Sequence, residues 1–410
     1  MTAPLAFPAF RWLWCSTLAA AGAQWMERVA TAWLALEAGA GSPFAVGIVF
    51  AARMLPSLLF GLAAGTIADR AERRRQLLAV GGTAAALMLA LGLLVRLGAV
   101  AFWHVVAISF LAGCVQVFDA PARQALLLDA VGREIGANAV ALNAFAMRLL
   151  GAVGAFAGGL LIPLLGVANC YLAVAVIYLV GVALLAAIKL PKRTEHARVV
   201  HPPFRRALAD AIRLVVAMPA VRTLSIAGIA CEVFAFSYMS AVPVFAVDVL
   251  DAGPEGLGAM NAAAAIGGTL AVVVLSALPS RVRREPILAA SYLTYGAAIL
   301  TLAGARSLPL AVAILVVVGA CAAAFDALEQ TLIQMAVPEE QRGRAVGIWV
   351  LGLGSAPLGH LEMGALASSL GAPSALLING ALVVAGALTL FARAPAYRFA
   401  ALSLSGRGPA

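Results

Sequence analysis

Five ionisable residues lie inside long apolar stretches of this 410-residue chain, where a charge is costly and therefore informative. They are Glu27, Arg28, Arg53, Arg148 and Glu232. A carboxylate in such a place can take up a proton from one side and release it when another ligand arrives, whereas a nearby arginine can hold it in an ion pair. These residue types therefore predict either proton exchange or structural charge pairing where they lie.

The composition indicates that the apolar stretches cross a membrane. Hydrophobic residues make up 63% of the chain, charged residues 11%, and the mean hydropathy is +0.99, which excludes an ordinary soluble surface. A net charge of +9 would also fit a nucleic-acid binder. However, all Lys and Arg residues except Arg28, Arg53, Arg96, Arg148 and Arg306 fall in segments that we assign to the cytoplasmic side, and this asymmetry is typical of a multi-pass membrane protein.

The apolar stretches, bounded by charge, Pro or Gly, predict twelve transmembrane helices in an all-α membrane protein. Residues 1–190 and 220–393 would each form a six-helix bundle, joined by a cytoplasmic connector at 191–219 and followed by a cytoplasmic tail at 394–410. In the connector, Phe204, Leu208, Ile212 and Val215 recur at helical spacing, which fits an amphipathic helix at a membrane surface or a plain linker. The predicted spans are 11–38, 44–68, 77–96, 101–123, 138–165, 168–190, 221–249, 256–280, 286–305, 309–335, 344–368 and 371–392.

An internal repeat supports two equivalent halves. The pattern Cys-x-x-x-Phe-Asp-Ala at residues 114–120 recurs at residues 321–327. We expect Asp119 and Asp326 at cytoplasmic helix ends, with Arg123 one turn after Asp119 in a surface ion pair. Two parallel six-helix halves are the architecture with which rocking transporters open one central site to either side in turn.

The loop after the second span carries a family pattern. Residues 65–75, GTIADRAERRR, resemble the G-x-x-x-D-R-x-x-R-R loop of the major facilitator superfamily, whose six-plus-six layout matches nearly the whole chain. Other stretches resemble its bacterial branch of enterobactin exporters and macrolide efflux pumps: 25–30 (WMERVA), 41–47 (GSPFAVG), 119–125 (DAPARQA) and 337–344 (VPEEQRGR).

Two positions depart from the family patterns. The antiporter sequence G-P-x-x-G-G of the fifth helix has Ala155 where the proline belongs. The arginine that proton-linked members carry four residues before a glycine of the fourth helix is Ser109 here, before Gly113. Proton coupling through that arginine is therefore excluded.

The resemblance implies a conformational latch around Asp69. In the family this acid meets the start of the eleventh helix when the transporter is open outward and releases it when the transporter opens inward. The alternative is that the neighbouring arginines only set the topology. The implied latch residues are Gly65, Asp69, Arg70, Arg73, Arg74, Gly343 and Arg344.

The coupling candidates remain open between two interpretations. Glu27 and Glu232 lie at comparable depths of repeat-related spans, so they could face each other across a central cavity, with Arg148 as a partner charge. Alternatively, Glu27 and Arg148 form a buried ion pair that never titrates. Arg28 and Arg53 could line the cavity or pair structurally. Two further acids are ambiguous, and we expect Glu329 near the cytoplasmic surface and Glu362 within the eleventh span.

Aromatic and thioether side chains of the first and seventh spans suit flat, apolar ligands, or else helix packing. These substrate-cavity candidates are Trp25, Met26, Phe234, Phe236, Tyr238 and Met239.

Together with the resemblance, these features predict a monomeric inner-membrane secondary transporter with cytoplasmic termini. It would export an amphiphilic siderophore or drug by proton antiport, so its partners are a small molecule, protons and the bilayer, without nucleic acid. The alternatives are a lysophospholipid transporter of the same superfamily and a non-transporting sensor. No enzyme activity, cofactor or metal is predicted, because the chain has no P-loop pattern and its five Cys and four His show no ligand spacing.

Overall fold

The computed structural model describes residues 3–70, 72–188, 204–279, 281–338 and 341–393, and these are helical, without a strand in those ranges. Nine stretches of the described helices are long and apolar enough to cross a membrane. The all-α membrane fold is therefore confirmed, and the exact count of twelve crossings stays a prediction. The helices are α1 (Pro8–Ala38), α2 (Pro43–Arg70), α3 (Arg73–Arg96), α4 (Phe102–Val131), α5 (Arg133–Ala186), α6 (Phe204–Ala217), α7 (Pro219–Ala230), α8 (Tyr238–Asp248), α9 (Pro254–Ala277), α10 (Glu285–Ala303), α11 (Leu308–Met335), α12 (Arg342–Leu353), α13 (Ala356–Leu370) and α14 (Ala372–Arg393).

Proline and glycine set many of the helix boundaries. Pro8, Pro219 and Pro254 lie at the first position of their helices, where the missing N–H is not needed and the fixed φ fits. Gly132 and Gly371 follow α4 and α13 with φ of 77° and 81°, a left-handed conformation that glycine adopts without strain. These signals explain why most predicted boundaries agree with the structure to within a few residues.

The helix α5 contains two predicted spans. It is continuous except at Gly166, where φ is 84° and ψ is 158°. Both sides of this break contact the same level of α1, since Gly158 packs on Met26 and the Tyr178 hydroxyl bonds to Glu27. The segments 133–165 and 167–186 therefore lie side by side as two arms.

Two predicted single spans are interrupted in the structure. Between α7 and α8 the chain forms a π-helical turn at Cys231–Ala235, in which the Phe236 N–H donates to the Cys231 carbonyl at 2.9 Å. Between α12 and α13 the helix breaks at Gly354 and Ser355. A π-turn inserts one residue into an α-helix and often marks a functional site. Conversely, α4 runs through Pro121 to Val131, so the prediction that it ends at residue 123, with Asp119 at its end, was wrong.

The helices form two halves, which we define as α1–α5 and α7–α14. They meet mainly where α5 packs on α9 and α2 packs on α13. Glycines make both contacts close: a β-carbon at Gly159 would lie 2.6 Å from the Cα of Gly258, and one at Gly47 would lie 2.5 Å from the His360 carbonyl oxygen. Small residues let helix backbones approach in this way.

Part of the predicted domain scheme lies outside the described residues. Positions 191–203 of the connector and the tail at 394–410 are among them. Within the connector, 204–217 form α6, which packs on α12 and α7. Its Leu214 is buried, whereas Ile212 is exposed. The domain boundaries and a membrane-surface role of α6 stay predictions.

Candidate functional site

A cavity of about 620 Å³ lies between the two halves. Its walls come from α1, α2, α4 and α5 on one side and from the π-turn, α8, α11, α12 and α13 on the other. This volume falls within the range of about 300–1,000 Å³ typical of small-molecule sites. We call it the central cavity.

The charges on the walls of the central cavity are separated by sign. The N-terminal half contributes Arg28, Arg53 and Arg148, and the C-terminal half contributes Glu232 and Asp326. The two halves therefore present opposite charges to any ligand between them. Such fixed charges act strongly where water is scarce.

Glu27 and Arg53 form a buried ion pair. Their side chains are only 3% and 7% exposed, and the Arg53 Nη1 donates to Glu27 Oε1. The Tyr178 hydroxyl donates to Glu27 Oε2 at 3.0 Å, so both carboxylate oxygens are satisfied. Of the two interpretations of Glu27, the structure shows pairing, and the partner is Arg53 instead of Arg148.

Glu27 faces a second cavity of about 60 Å³ inside the N-terminal half, which has room for a few water molecules. Asp119 and Arg123 line its other end. Arg123 donates to both Asp119 oxygens at 2.7 and 2.8 Å and to Thr17 Oγ1 at 3.2 Å. The predicted Asp119–Arg123 pair is confirmed, but Arg123 is only 8% exposed, so its surface location was wrong.

The other two arginines of the central cavity have no such closed pair. The Arg28 guanidinium lies 4.4 Å from the centre of the Trp25 ring, a cation–π contact. It makes no hydrogen bond or ion pair with the described residues. The Arg148 side chain lies beside Gly268 of the opposite half, and Asp326 is the acid whose charge acts on it.

Three acids cluster in the C-terminal half. Glu232 lies in the π-turn, Asp326 lines the central cavity together with Trp349, and Glu329 lies one turn after Asp326. None of them forms an ion pair within the described ranges. Glu329 is 6% exposed and packs against Gly228, so it is buried between helices, and its location near the cytoplasmic surface stays a prediction. A glycine at 228 leaves the space that this carboxylate fills.

The six aromatic and thioether candidates divide into two groups. Trp25, Phe236 and Met239 line the central cavity. The others pack within the protein: Met26 on Gly158, Tyr238 edge-on against Tyr295 at 6.3 Å, and Phe234 on the core.

Sequence reasoning missed His360, Phe50 and Trp349 on the wall of the central cavity. The His360 and Phe50 rings lie 5.3 Å apart, and His360 Nδ1 lies 3.4 Å from Ser240 Oγ. A histidine inside an apolar span was the signal for the first of these. Glu362, for which sequence gave no partner, accepts a hydrogen bond from Asn379 at 2.9 Å.

The implied latch is only partly described. Arg73 donates to Asp129 at 2.5 Å, and Arg74 donates to the Ala186 carbonyl at 2.5 Å, so both brace α3 against other helices of the N-terminal half. For the other latch residues the structure describes the backbone but not the side chains: Gly65, Asp69, Arg70, Gly343 and Arg344.

Comparison with known proteins gives related sequences along most of the chain. The multidrug efflux pump Tap of Mycolicibacterium fortuitum is 27% identical over 353 residues, which cover 84% of this chain and 85% of that pump. The staphyloferrin A transporter of Staphylococcus aureus is 23% identical over 359 residues, which cover 87% of this chain and 89% of that transporter.

Solved transporter structures share the fold. The nucleoside transporter NupG superposes with a TM-score of 0.72 at 14% identity and covers 94% of this chain and 98% of its own. A POT family transporter in complex with 5-aminolevulinic acid gives 0.74 at 11% identity and covers 95% and 97%. At these identities the likeness shows the fold alone, and it confirms the predicted major facilitator architecture.

The family assignment comes from a sequence model that spans nearly the whole chain. The model described as transmembrane secretion effector matches residues 1–406. The chain therefore belongs to the transmembrane secretion effector family of membrane transporters, within the major facilitator superfamily.

Proposed function

We propose that the protein exports an amphiphilic small molecule across the cytoplasmic membrane by alternating access, driven by proton antiport. The observation that carries this proposal is the central cavity, which lies between the two halves and has opposite charges and aromatic rings on its walls. A site between two packed bodies can be exposed to one side or the other when those bodies rock.

The contacts between the halves support such a motion. The Gly47–His360 and Gly159–Gly258 contacts and the hydrogen bond from the Phe44 N–H to Ser368 Oγ at 2.9 Å join the halves near the start of α2 and α9. The arginines Arg73–Arg75 lie at the opposite end of the N-terminal half. Glycine contacts let the two halves pack closely at this end. The halves can therefore stay in contact here in one conformation and separate here in another.

We assign proton coupling to Glu232 and Asp326. Both line the central cavity, and neither has an ion-pair partner within the described ranges. Arg148 from the opposite half is the positive charge that acts on Asp326 in this conformation. A proton on these acids would weaken the attraction between the halves, and its release would restore that attraction. Glu27, in contrast, is already paired with Arg53.

The topology and the latch complete the proposal. From the positive-inside pattern we expect both termini and residues 65–74 on the cytoplasmic side of a bacterial-type inner membrane. Asp69 would meet Gly343 and Arg344 when the protein opens outward, as the family resemblance implies. The protein would work as a monomer, because one chain supplies both walls of the central cavity.

The substrate class follows from the walls and from the relatives. Trp25, Phe50, Phe236 and Met239 offer flat, polarisable surfaces, and such surfaces accept apolar ligands of varied shape. The relatives are a multidrug efflux pump and a staphyloferrin A transporter. A drug-like molecule or a siderophore is consistent with the cavity walls and with these relatives.

The test is transport by the purified protein in liposomes with an imposed pH gradient. Catecholate siderophores, macrolides and lysolipids are offered in turn, with protein-free liposomes as the control. We expect one of the first two classes to move against its gradient together with a counterflow of protons, and an ionophore that collapses the pH gradient to stop it. Movement of none of these ligands, of lysolipids only, or without proton flux would contradict the proposal.

A further inference from the structure

We infer that Arg28 and Arg53 form an anion subsite in the central cavity, which binds an acidic oxygen group, such as a carboxylate, on an amphiphilic substrate. This inference rests on the proposed function and names the substrate chemistry that the same cavity selects.

Arg28 is a membrane-buried cation without a counter-ion among the described residues. Its guanidinium is half-buried, lies over the Trp25 ring and makes no hydrogen bond or ion pair with the described residues. Arg28 lines the central cavity, so its unused N–H donors are available to a ligand there. A charged group at membrane depth is retained where it faces a cavity and serves a ligand.

Arg53 adds a second unsatisfied donor. It is 6% exposed, and its Nε has no hydrogen-bond partner although the atom is buried. Only its Nη1 is engaged, by Glu27. A buried donor without a partner is destabilising. Arg53 lines the central cavity, so a small rotation of its side chain would bring this donor to the cavity surface, where a ligand acceptor removes that penalty.

The two guanidinium groups act together. Both line the central cavity, the charge of Arg53 acts on Arg28, and the oxygens of Glu27 are already bound by Arg53 and Tyr178. Two like charges close together in a poorly hydrated wall repel each other unless an anion lies between them. Guanidinium groups bind carboxylate and phosphate oxygens in bidentate fashion, which suits this role.

The rest of the cavity orients the ligand. Glu232 and Asp326 on the opposite wall repel an anionic group and so favour its binding at Arg28 and Arg53. Trp25 and Phe50 lie beside that wall and can hold a flat apolar body next to the acidic group. The subsite therefore prefers an amphiphile whose acidic group is attached to an aromatic or similarly flat part.

The test compares three probes with one aromatic body and different charges: pyrenebutyrate, its neutral amide, and pyrenebutylamine. Binding to the purified full-length protein in nanodiscs is measured by energy transfer from tryptophan to pyrene. We expect pyrenebutyrate to bind at least about tenfold more tightly than the amide, because hydrogen bonds to charged groups are worth about 1.5–3 kcal/mol. Arg28→Gln should remove this preference and leave amide binding within about twofold of the wild type.

Arg28→Lys retains the charge and should keep part of the preference, whereas Arg222→Gln, which changes an exposed arginine of α7, should keep all of it. A monodisperse profile of each variant on gel filtration shows that it is folded. Equal binding of the carboxylate and the amide by the wild type, or a preference that survives Arg28→Gln, would overturn the inference.

The acidic group can come from a soluble carboxylate or from a lipid phosphate. Displacement of pyrenebutyrate by benzoate-type acids assigns the first source. Displacement by lysophosphatidylglycerol but not by lysophosphatidylcholine assigns the second, and both support the subsite. The proposed export stands or fails separately: proton-coupled transport of neutral probes without a carboxylate preference refutes only the subsite, and Arg28-dependent binding without transport refutes only the export.

Discussion

The two copies of the internal repeat have taken different electrostatic roles. Asp119 in the first copy is bound by Arg123, four residues later, and the pair is closed inside the N-terminal half. Asp326 in the second copy has Gln330 at the equivalent position and lines the central cavity without an ion-pair partner among the described residues. One substituted residue thus separates a structural acid from an acid that a ligand or proton can reach.

The same contrast extends over the two halves. In the N-terminal half, Glu27 pairs with Arg53, and Arg73 pairs with Asp129. In the C-terminal half, Glu232, Asp326 and Glu329 gather without a basic partner of their own among the described residues. We conclude that the first half ties its acids into ion pairs that hold its helices, whereas the second half keeps its acids available.

Breaking the buried pair of the N-terminal half should produce the largest effect. Arg53→Met leaves Glu27 buried without its counter-ion, and we expect the free energy of unfolding to fall by about 3–5 kcal/mol. Denaturant titration of the purified protein in detergent measures the change. The double variant Glu27→Met/Arg53→Met should regain most of the loss, because no uncompensated charge remains. A loss no larger than that of Arg222→Met would contradict a structural role for the pair.

Giving Asp326 an arginine partner like that of Asp119 should lower proton coupling. Gln330→Arg puts a guanidinium one turn after Asp326, as Arg123 follows Asp119. We expect ligand-driven proton flux in liposomes to fall about tenfold. An ion pair with an arginine lowers the proton affinity of a carboxylate, and an affinity about tenfold lower should reduce the flux by about the same factor. The uncharged variant Gln330→Met should keep the flux. If Gln330→Arg keeps it as well, Asp326 does not respond to protons.

Substitutions of the adjacent arginines at the start of α3 should have the smallest effect on stability. The Arg73–Asp129 side chains are 15% and 29% exposed, and those of Arg75 and Glu72 are 82% and 54% exposed. Arg73→Gln should lower the free energy of unfolding by about 1 kcal/mol and Arg75→Gln by less than about 0.5 kcal/mol. Equal losses in denaturant titrations would show that burial does not decide which charges brace the helices.

The fold was predictable where apolar runs mark the helices and where proline, glycine or charged residues mark their ends. The span 44–68 became α2 at Pro43–Arg70, because a proline opens the helix and charges follow it. The π-turn around Glu232 and the break at Gly354 were not predicted, since one inserted residue leaves the apolar run unchanged. Hydropathy also suggested the wrong end for α4, where Asp119 and Arg123 neutralise each other within a longer helix.

The site was predictable in its residue types but not in its pairing. Glu27, Arg53, Arg148 and Glu232 stand out because charges are rare in apolar spans. Which arginine meets Glu27 depends on the rotation of each helix about its axis, and packing sets that rotation. The burial of Glu329 likewise depends on Gly228 in a neighbouring helix, which the order of residues does not reveal.

The most direct test of the contrast between the halves is ligand-driven proton flux in liposomes for Glu232→Gln and Glu27→Gln, each normalised to folded protein. We predict that Glu232→Gln lowers the flux at least about tenfold and still binds ligand, because it removes a carboxylate of the central cavity. Glu27→Gln should keep the flux, since its carboxylate serves Arg53. The opposite result, with flux lost in Glu27→Gln and kept in Glu232→Gln, would contradict the account.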